Sequence, residues 1–348
     1  MSEFKLTTVE EFEEATARLL ETGAKVGADA WQLRVKKQTP HCKFGEQGVC
    51  CRICSMGPCR ITPKAPRGIC GCDVHGIVGR NFLKFTAGGA ATHSDHGREI
   101  CHTLYCAKDG GNYQVKDPEK LIRIAKEWGV ETEGKDIYDL AHEMSDLAQE
   151  EYGKIRGVSR WLKRAPQHTQ DLWHAAGIEP RAIDREVSCA LHMTHMGNTS
   201  KPEALIRQAL RNGLSDGWGG SMCGTEFSDV LFGTPKPIDT EANLGVMNAE
   251  NVNIVVHGHD PSLSEMVCEY ADSPEMIAYA KEMGAKGITV SGVCCTSNEV
   301  AMRRGIPMAG NFLQQENVVL TGACEAIVVD VQCIFPALGP LSKCFHTK

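Results

Sequence analysis

Between His41 and Asp73 the chain reads HCKFGEQGVCCRICSMGPCRITPKAPRGICGCD, and seven of its 17 cysteines fall within these 33 residues. Their spacing is Cys42-x7-Cys50-Cys51-x2-Cys54-x4-Cys59-x10-Cys70-x-Cys72. Glycine and proline separate them and almost no apolar run intervenes, so the segment cannot bury a core of its own. Thiolate–metal bonds are the alternative means of ordering it. Cys51, Cys54, Cys59 and Cys70 suffice for a closed four-thiolate site. Cys-x2-Cys-x4-Cys suits an iron–sulfur cube better than a zinc ribbon, which wants two Cys-x2-Cys pairs flanking a loop; structural zinc is the competing occupant. Cys42 and Cys50 are left over. Two ligands make half a site, which a two-fold axis would complete from a second subunit.

The first twenty residues, MSEFKLTTVEEFEEATARLL, lack the basic-then-apolar layout of an export signal. They read as a helix with Thr8 and Glu11 as its capping box. A cytoplasmic location follows, where cysteines stay reduced. Cys101, Cys106, Cys189, Cys268 and Cys324 are read as small buried hydrophobes. A net charge of -7 without a basic block argues against nucleic acid as main partner, and no apolar run is long enough for a membrane span.

The segment after Cys72, VHGIVGRNFLKFTAGGAATHSDHGREICHTLY, reads as helix interrupted at Gly88-Gly89. From Asp117 to about Asn212 the text is nearly all helix, with starts at Asp117-Pro118, Asp136 and Ser200 and a stop at Gly213. Past Gly233-Thr234-Pro235 the pattern changes. Asn253–Val256, Gly287–Val290 and Ala326–Val331 are β-branched runs separated by helices at Ser262–Met283 and Asn298–Arg304. Such a succession predicts a parallel sheet covered on both faces. The fold class is therefore α/β: a mostly helical domain over 1–235 that carries the cysteine block at 41–73, then a Rossmann-like parallel α/β domain over 236–348.

After the first run comes His257-Gly258-His259, after the second Cys294-Cys295, after the third Cys333. Ligands of open parallel sheets gather outside the carboxyl ends of the strands, so a soft or borderline metal ligand at each of three ends points to one metal centre. One His and two Cys are too few to close a cluster, and further ligands must come from elsewhere. A separate row, His93, His96 and His102, has helical spacing and the chemistry to relay protons; satisfied or exposed histidines are the plainer reading of the same spacing.

HCKFGEQGVCCRICSMGPCRITPK, RGICG, THSDHGREICHTL, DGWGGSM, VHGHDP, GVCCTSNE, AGNFLQQE and VDVQCIFPAL together resemble the anaerobic nickel–iron carbon monoxide dehydrogenases, from about residue 40 to the last. Hybrid-cluster proteins are the more distant resemblance. The family resemblance implies reversible oxidation of CO with water to CO2, two electrons and two protons. It implies that Cys51, Cys54, Cys59 and Cys70 hold a 4Fe–4S cluster, with Cys72 extra. Cys42 and Cys50 would hold one subunit's share of a dimer-bridging Fe–S cluster (4Fe–4S or 2Fe–2S). His259, Cys295 and Cys333 would be ligands of a NiFe4S4-type cluster, with His257 and Cys294 as neighbours. His93 would be the acid/base beside bound CO2, paired with Asp216, and His96 and His102 would continue the proton path. Glu99 stands where the family often has another histidine. A homodimer, a ferredoxin-like electron acceptor and no nucleic acid complete the expected partners, and an acetyl-CoA synthase subunit is admitted as a further one. The family continues past this chain's Lys348 into a second α/β domain that supplies the remaining active-site cysteines and a lysine. The isolated chain is therefore expected not to oxidise CO. The rival expectation is an electron-transfer or assembly module that keeps only the Fe–S clusters.

Overall fold

The computed structural model describes residues 14–196 and 198–348. The capping box expected at Thr8 and Glu11 lies outside them. Two compact units are formed, one from residues 41–233 and the other from residues 14–40 together with 234–348.

In chain order the helices up to Gly233 are α1 (Glu14–Lys25), α2 (Trp31–Lys37), α3 (Lys43–Glu46), α4 (Val74–Tyr105), α5 (Pro118–Glu127), α6 (Ile137–Gly153), α7 (Gln167–Ala176), α8 (Ile183–Thr194), α9 (Pro202–Ser215) and α10 (Met222–Phe232). A short antiparallel pair, β1 (Cys50–Cys51) and β2 (Cys59–Arg60), lies within the cysteine block. The helical unit is built round α4, which runs 32 residues without a break. The interruption expected at Gly88-Gly89 does not occur. Two glycines cost about 1 kcal/mol each in a helix, but Leu83, Ala87, Ala90, Ile100 and Leu104 on the same helix are buried, and packing of that many side chains outweighs the local penalty. Leu83 and Ala87 pack on Ala190 of α8 and Leu205 of α9. Ile100 and Leu104 join Leu121, Leu140, Met144, Trp161 and Phe227 in the main core. Nor does α9 end at Gly213. It runs to Ser215 and continues as a π-type turn, Asp216–Ser221, directly into α10.

The second unit holds β3 (Val252–Gly258), α11 (Pro261–Ala271), α12 (Pro274–Glu282), β4 (Ile288–Val293), α13 (Cys294–Arg304), β5 (Met308–Gly310), α14 (Gln315–Leu320), β6 (Ala326–Val329) and α15 (Leu338–Ser342). Its sheet is parallel in the order β5-β4-β3-β6. Val255 and Val256 are adjacent on β3 and so face opposite sides. Val255 is buried with Val293, Ala309 and Val318, and Val256 with Cys268, Val290 and Val300. Both faces are covered, which explains why the strands read as continuous β-branched runs.

Three expectations for this unit need correcting. The helix expected over Ser262–Met283 is two helices, because Pro274 lacks an N–H and crowds the preceding turn; Ser273 caps the restart by accepting the Met276 N–H at 3.3 Å. β5 was not foreseen, since Met308-Ala309-Gly310 has no β-branched residue to announce it. Residues 14–40, expected with the helical domain, belong instead to the α/β unit: Leu20, Ala28 and Ala30 are buried against Val319, Leu320 and Leu341, and the Trp31 indole N–H donates to Leu313 O at 2.8 Å. The expected boundary near 235 itself falls at Gly233/Thr234.

Candidate metal and proton-transfer sites

All 17 cysteines are free thiols. In the block, the β1–β2 register sets Cys51 opposite Cys59, and Asn81 on α4 pins the entry by donating to Gly48 O at 3.0 Å and Cys50 O at 2.9 Å. Cys51, Cys54, Cys59, Cys70 and Cys72 all line one small cavity. Its donors favour sulfur carrying negative charge: the Ile69 N–H donates to Cys59 Sγ at 3.4 Å, and Arg80 Nη1 lies 3.6 Å from Cys70 Sγ. The backbone N–H of Cys72, then the Arg80 guanidinium, hold the Cys70 thiol below its ordinary range against the opposing effect of burial. Cys72 goes the other way, pushed up by burial. Of the adjacent pair, Cys70 is therefore the better thiolate, and the thiols around this cavity fit an iron–sulfur cluster. Cys42 is exposed before α3 and Cys50 is half-buried on β1.

The histidine row does not keep to one face. His93 and His102 are nine residues apart, which at about 100° per residue places them on opposite sides of α4. His93 is half-buried, His96 buried, Glu99 and His102 exposed, so the row winds from a sheltered start to the surface. His93 Nδ1 lies 2.5 Å from Asp216 Oδ1. A carboxylate only accepts, so His93 carries a proton on Nδ1, and Nε2 is the ring position left for proton exchange. The π-type turn brings Asp216 there, and Gly220 lets it run close to α4: a Cβ at that position would stand 3.0 Å from the His93 carbonyl. His102 Nε2 is 3.8 Å from Cys106 Sγ. Cys106 and His102 are both exposed, which corrects the reading of Cys106 as a core residue; Cys101, Cys268 and Cys324 are buried as expected, and Cys189 is half-buried.

Burial, with His93 nearby, lowers the His96 pKa to about 4. An unfolded histidine protonates near 6.5, so the unfolded chain takes up a proton that the native one refuses. Stability is complete above that range and is lost as pH falls from about 6.5 to about 4, by ~3 kcal/mol in all. Denaturant unfolding across this interval is expected to flatten in His96→Gln; an unchanged acid slope in that variant counts against the assignment.

In the α/β unit, the chain runs β3, β4, β5 to one side and then crosses back to place β6 against β3. The carboxyl ends of β3 and β6 thus flank the topological switch point, where open sheets bind ligands. His259 follows β3, Cys333 follows β6, and Cys294-Cys295 open α13 directly after β4. Cys295 is exposed and Cys294 buried. Burial first, and then the neighbouring Cys333 and Cys295 thiols, push Cys294 up to about 12; burial and Cys333 also raise Cys295. The cysteine thiols are therefore within electrostatic reach of one another. Among the described residues, no three His, Cys, Asp or Glu side chains close on the point a single metal ion would occupy; a polynuclear cluster spreads its ligands wider. Cys294, Gln332 and Cys333 have φ of 70°, 71° and 58°, left-handed conformations that cost non-glycine residues about 1–3 kcal/mol each and collect at functional sites.

One side chain that the sequence did not single out holds these elements. Asp330 accepts the His259 N–H at 2.6 Å and also the Val331 N–H, tying the β3 end to the β6 end. Only glycine fits at 258, since a Cβ there would lie 1.8 Å from Asp330 Oδ1. Burial pushes Asp330 up to about 6. Asp330 stands inside the VDVQC motif, so a signal existed; Arg80 carries no local pattern that would have marked it.

The sequence model of the Prismane/CO dehydrogenase family matches residues 49–348. The chain belongs to the prismane/CO dehydrogenase family. Within it, this chain is 49% identical over 340 residues to carbon monoxide dehydrogenase 1 of Methanosarcina mazei, a match that covers 96% of this chain and 54% of that one. The crystal structure of the nickel-free carbon monoxide dehydrogenase of Thermococcus sp. AM4 superposes with a TM-score of 0.93 at 45% identity, covering 99% of this chain and 56% of that one. An acetyl-CoA synthase/carbon monoxide dehydrogenase whose structure is described with NiZn[Fe4S4] and NiNi[Fe4S4] clusters gives a TM-score of 0.92 at 38% identity, covering 99% of this chain and 52% of that one. The chain thus spans about half the length of the CO dehydrogenase relatives it matches. The expected resemblance and the α/β fold class are both borne out.

Proposed function

We propose that this chain carries the cluster-binding and proton-transfer part of a nickel–iron carbon monoxide dehydrogenase, which interconverts CO and water with CO2, two electrons and two protons. The observation that carries the reading is that His259, Cys295 and Cys333 each follow the carboxyl end of a strand, β3, β4 and β6, on one edge of the parallel sheet. These three residues would hold part of a NiFe4S4-type cluster, which when bound supplies the Lewis-acid and redox chemistry of CO oxidation. His93 would hold and move the proton at Nε2 while Asp216 orients its ring; His96, Glu99 and His102 would lead protons on to the surface. Cys51, Cys54, Cys59 and Cys70 would hold a 4Fe–4S cluster. Cys42 and Cys50 would hold one subunit's share of a bridging Fe–S cluster in a homodimer. Support for the dimer comes from Val78, Phe82 and Phe85, which are exposed on α4 at i, i+4 and i+7. A ferredoxin-like acceptor and an acetyl-CoA synthase subunit are the further partners in this reading. A reducing, cytoplasmic setting, which keeps cysteines available as thiolate ligands, belongs to this reading. Among the described residues no helix is long and apolar enough to cross a membrane.

Metal analysis and CO oxidation of the chain together with the part that supplies the remaining ligands test the reading. Nickel in stoichiometric amount is expected, lost in Cys295→Ala and Cys333→Ala while the iron of the cysteine block stays; Cys54→Ala should lose block iron instead. Iron and sulfide with no nickel would overturn the proposal. Three ligands leave the nickel site open, so the 348 residues alone are expected not to turn over CO.

A further inference from the structure

Three consecutive residues of α14, Gln315, Glu316 and Asn317, are polar and buried. Two of them face the N-terminal segment: Glu316 accepts the Trp31 N–H at 2.6 Å and pairs with Arg34, and Asn317 accepts from Gln32 Nε2 at 3.1 Å. Gln315 is turned to the strand ends instead. Its amide nitrogen donates to Phe312 O at 2.6 Å and Cys333 O at 2.9 Å. Its oxygen accepts the Phe335 N–H at 2.7 Å and lies 3.1 Å from His257 Nε2. A primary amide has two N–H donors and two lone pairs, so every hydrogen-bonding position of Gln315 is used. The backbone it grips contains Gln332 and Cys333, both left-handed without being glycine. Such a turn persists only where its surroundings over-determine it. Gln315 holds it from the Cys333 carbonyl onward, and Asp330 anchors its approach through the Val331 N–H.

We propose that Gln315 is a positioning residue for the metal centre. Its clamp on the Cys333 carbonyl and the Phe335 amide sets the turn from which Cys333 offers its thiol, and it registers that turn against His257 on β3, two residues before His259. The part of this that concerns metal rests on the proposed ligand role of Cys333; the clamp does not.

Hydrogen exchange of the metal-free chain separates the two. In Gln315→Met, similar in volume but without hydrogen bonds, the Phe335 amide is expected to exchange roughly tenfold faster or more, with the interior of β4 unchanged. In the assembled holoprotein the same variant is expected to lose nickel several-fold relative to block iron, and to change the spectroscopic signature of the nickel centre. Gln315→Glu keeps an acceptor for Phe335 but sets an oxygen against Cys333 O. It should retain the exchange protection and fall between wild type and Gln315→Met in nickel content, and it serves as the reading should Gln315→Met not fold. Unchanged Phe335 exchange would overturn the clamp. Faster exchange with nickel content and signature intact would overturn the positioning role. Wild-type holoprotein holding block iron but no nickel would overturn the ligand reading, and the positioning role with it.

Discussion

Replacing His93 by alanine is expected to lower the CO-oxidation rate of the assembled enzyme by about 10²- to 10⁴-fold, or ~3–5 kcal/mol of barrier. The reason is geometric. Asp216 Oδ1 lies 2.5 Å from Nδ1, which commits the ring to one tautomer and leaves Nε2 as the exchangeable position. Alanine removes that nitrogen without touching any proposed metal ligand, so nickel and iron contents should stay at wild-type values. Asp216→Asn should also slow the reaction, because an amide can accept or donate and no longer dictates the tautomer. A His93→Ala enzyme that oxidises CO at close to the wild-type rate would remove His93 from the chemistry. Loss of metal alongside loss of rate would instead make His93 structural.

The second large effect is on stability. Lys120 on α5 is buried, with Nζ 2.5 Å from Asp229 Oδ2 and 3.4 Å from Glu226 Oε1 on α10. Glu226 is shared with Arg164 at 3.0 Å, and Arg164 also forks onto Glu127. Removing one member of a buried pair leaves the other desolvated and uncompensated, a cost of about 3–5 kcal/mol. Lys120→Met, which keeps the stem and deletes the charge, is expected to lower the urea midpoint of the helical unit accordingly. Glu226 keeps Arg164 as its partner, so the loss falls mainly on Asp229. A midpoint equal to wild type would mean that the network relaxes around the missing charge.

Much of the candidate site was legible because its residues are neighbours in sequence or follow a strand. The cysteine block could be read since its thiols crowd into one short segment with almost no apolar run to order it. His259, Cys295 and Cys333 could be read since β-branched runs announced the strands that precede them, and a parallel sheet brings successive carboxyl ends to one edge. The break expected at Gly88-Gly89 is absent because local propensity does not count the side chains that bury α4. The segment 14–40 was assigned to the wrong unit because an amphipathic stripe states that a face is buried without naming what buries it.

By itself, then, the sequence determined the chemistry available here: thiolates at cluster spacing, an α/β sheet tipped with soft ligands, and a helix threaded with histidines. Only the tertiary structure decided which groups meet. It set Asp216 on His93 through a π-type turn, Arg80 beside Cys70, Asp330 across the ends of β3 and β6, and Gln315 on the Cys333 turn. Each of these contacts joins residues from different elements, and those of Asp216 and Asp330 span 123 and 71 residues of the chain. A hydrogen bond of that kind depends on how packed elements come to rest, and no periodicity or spacing within either segment encodes it.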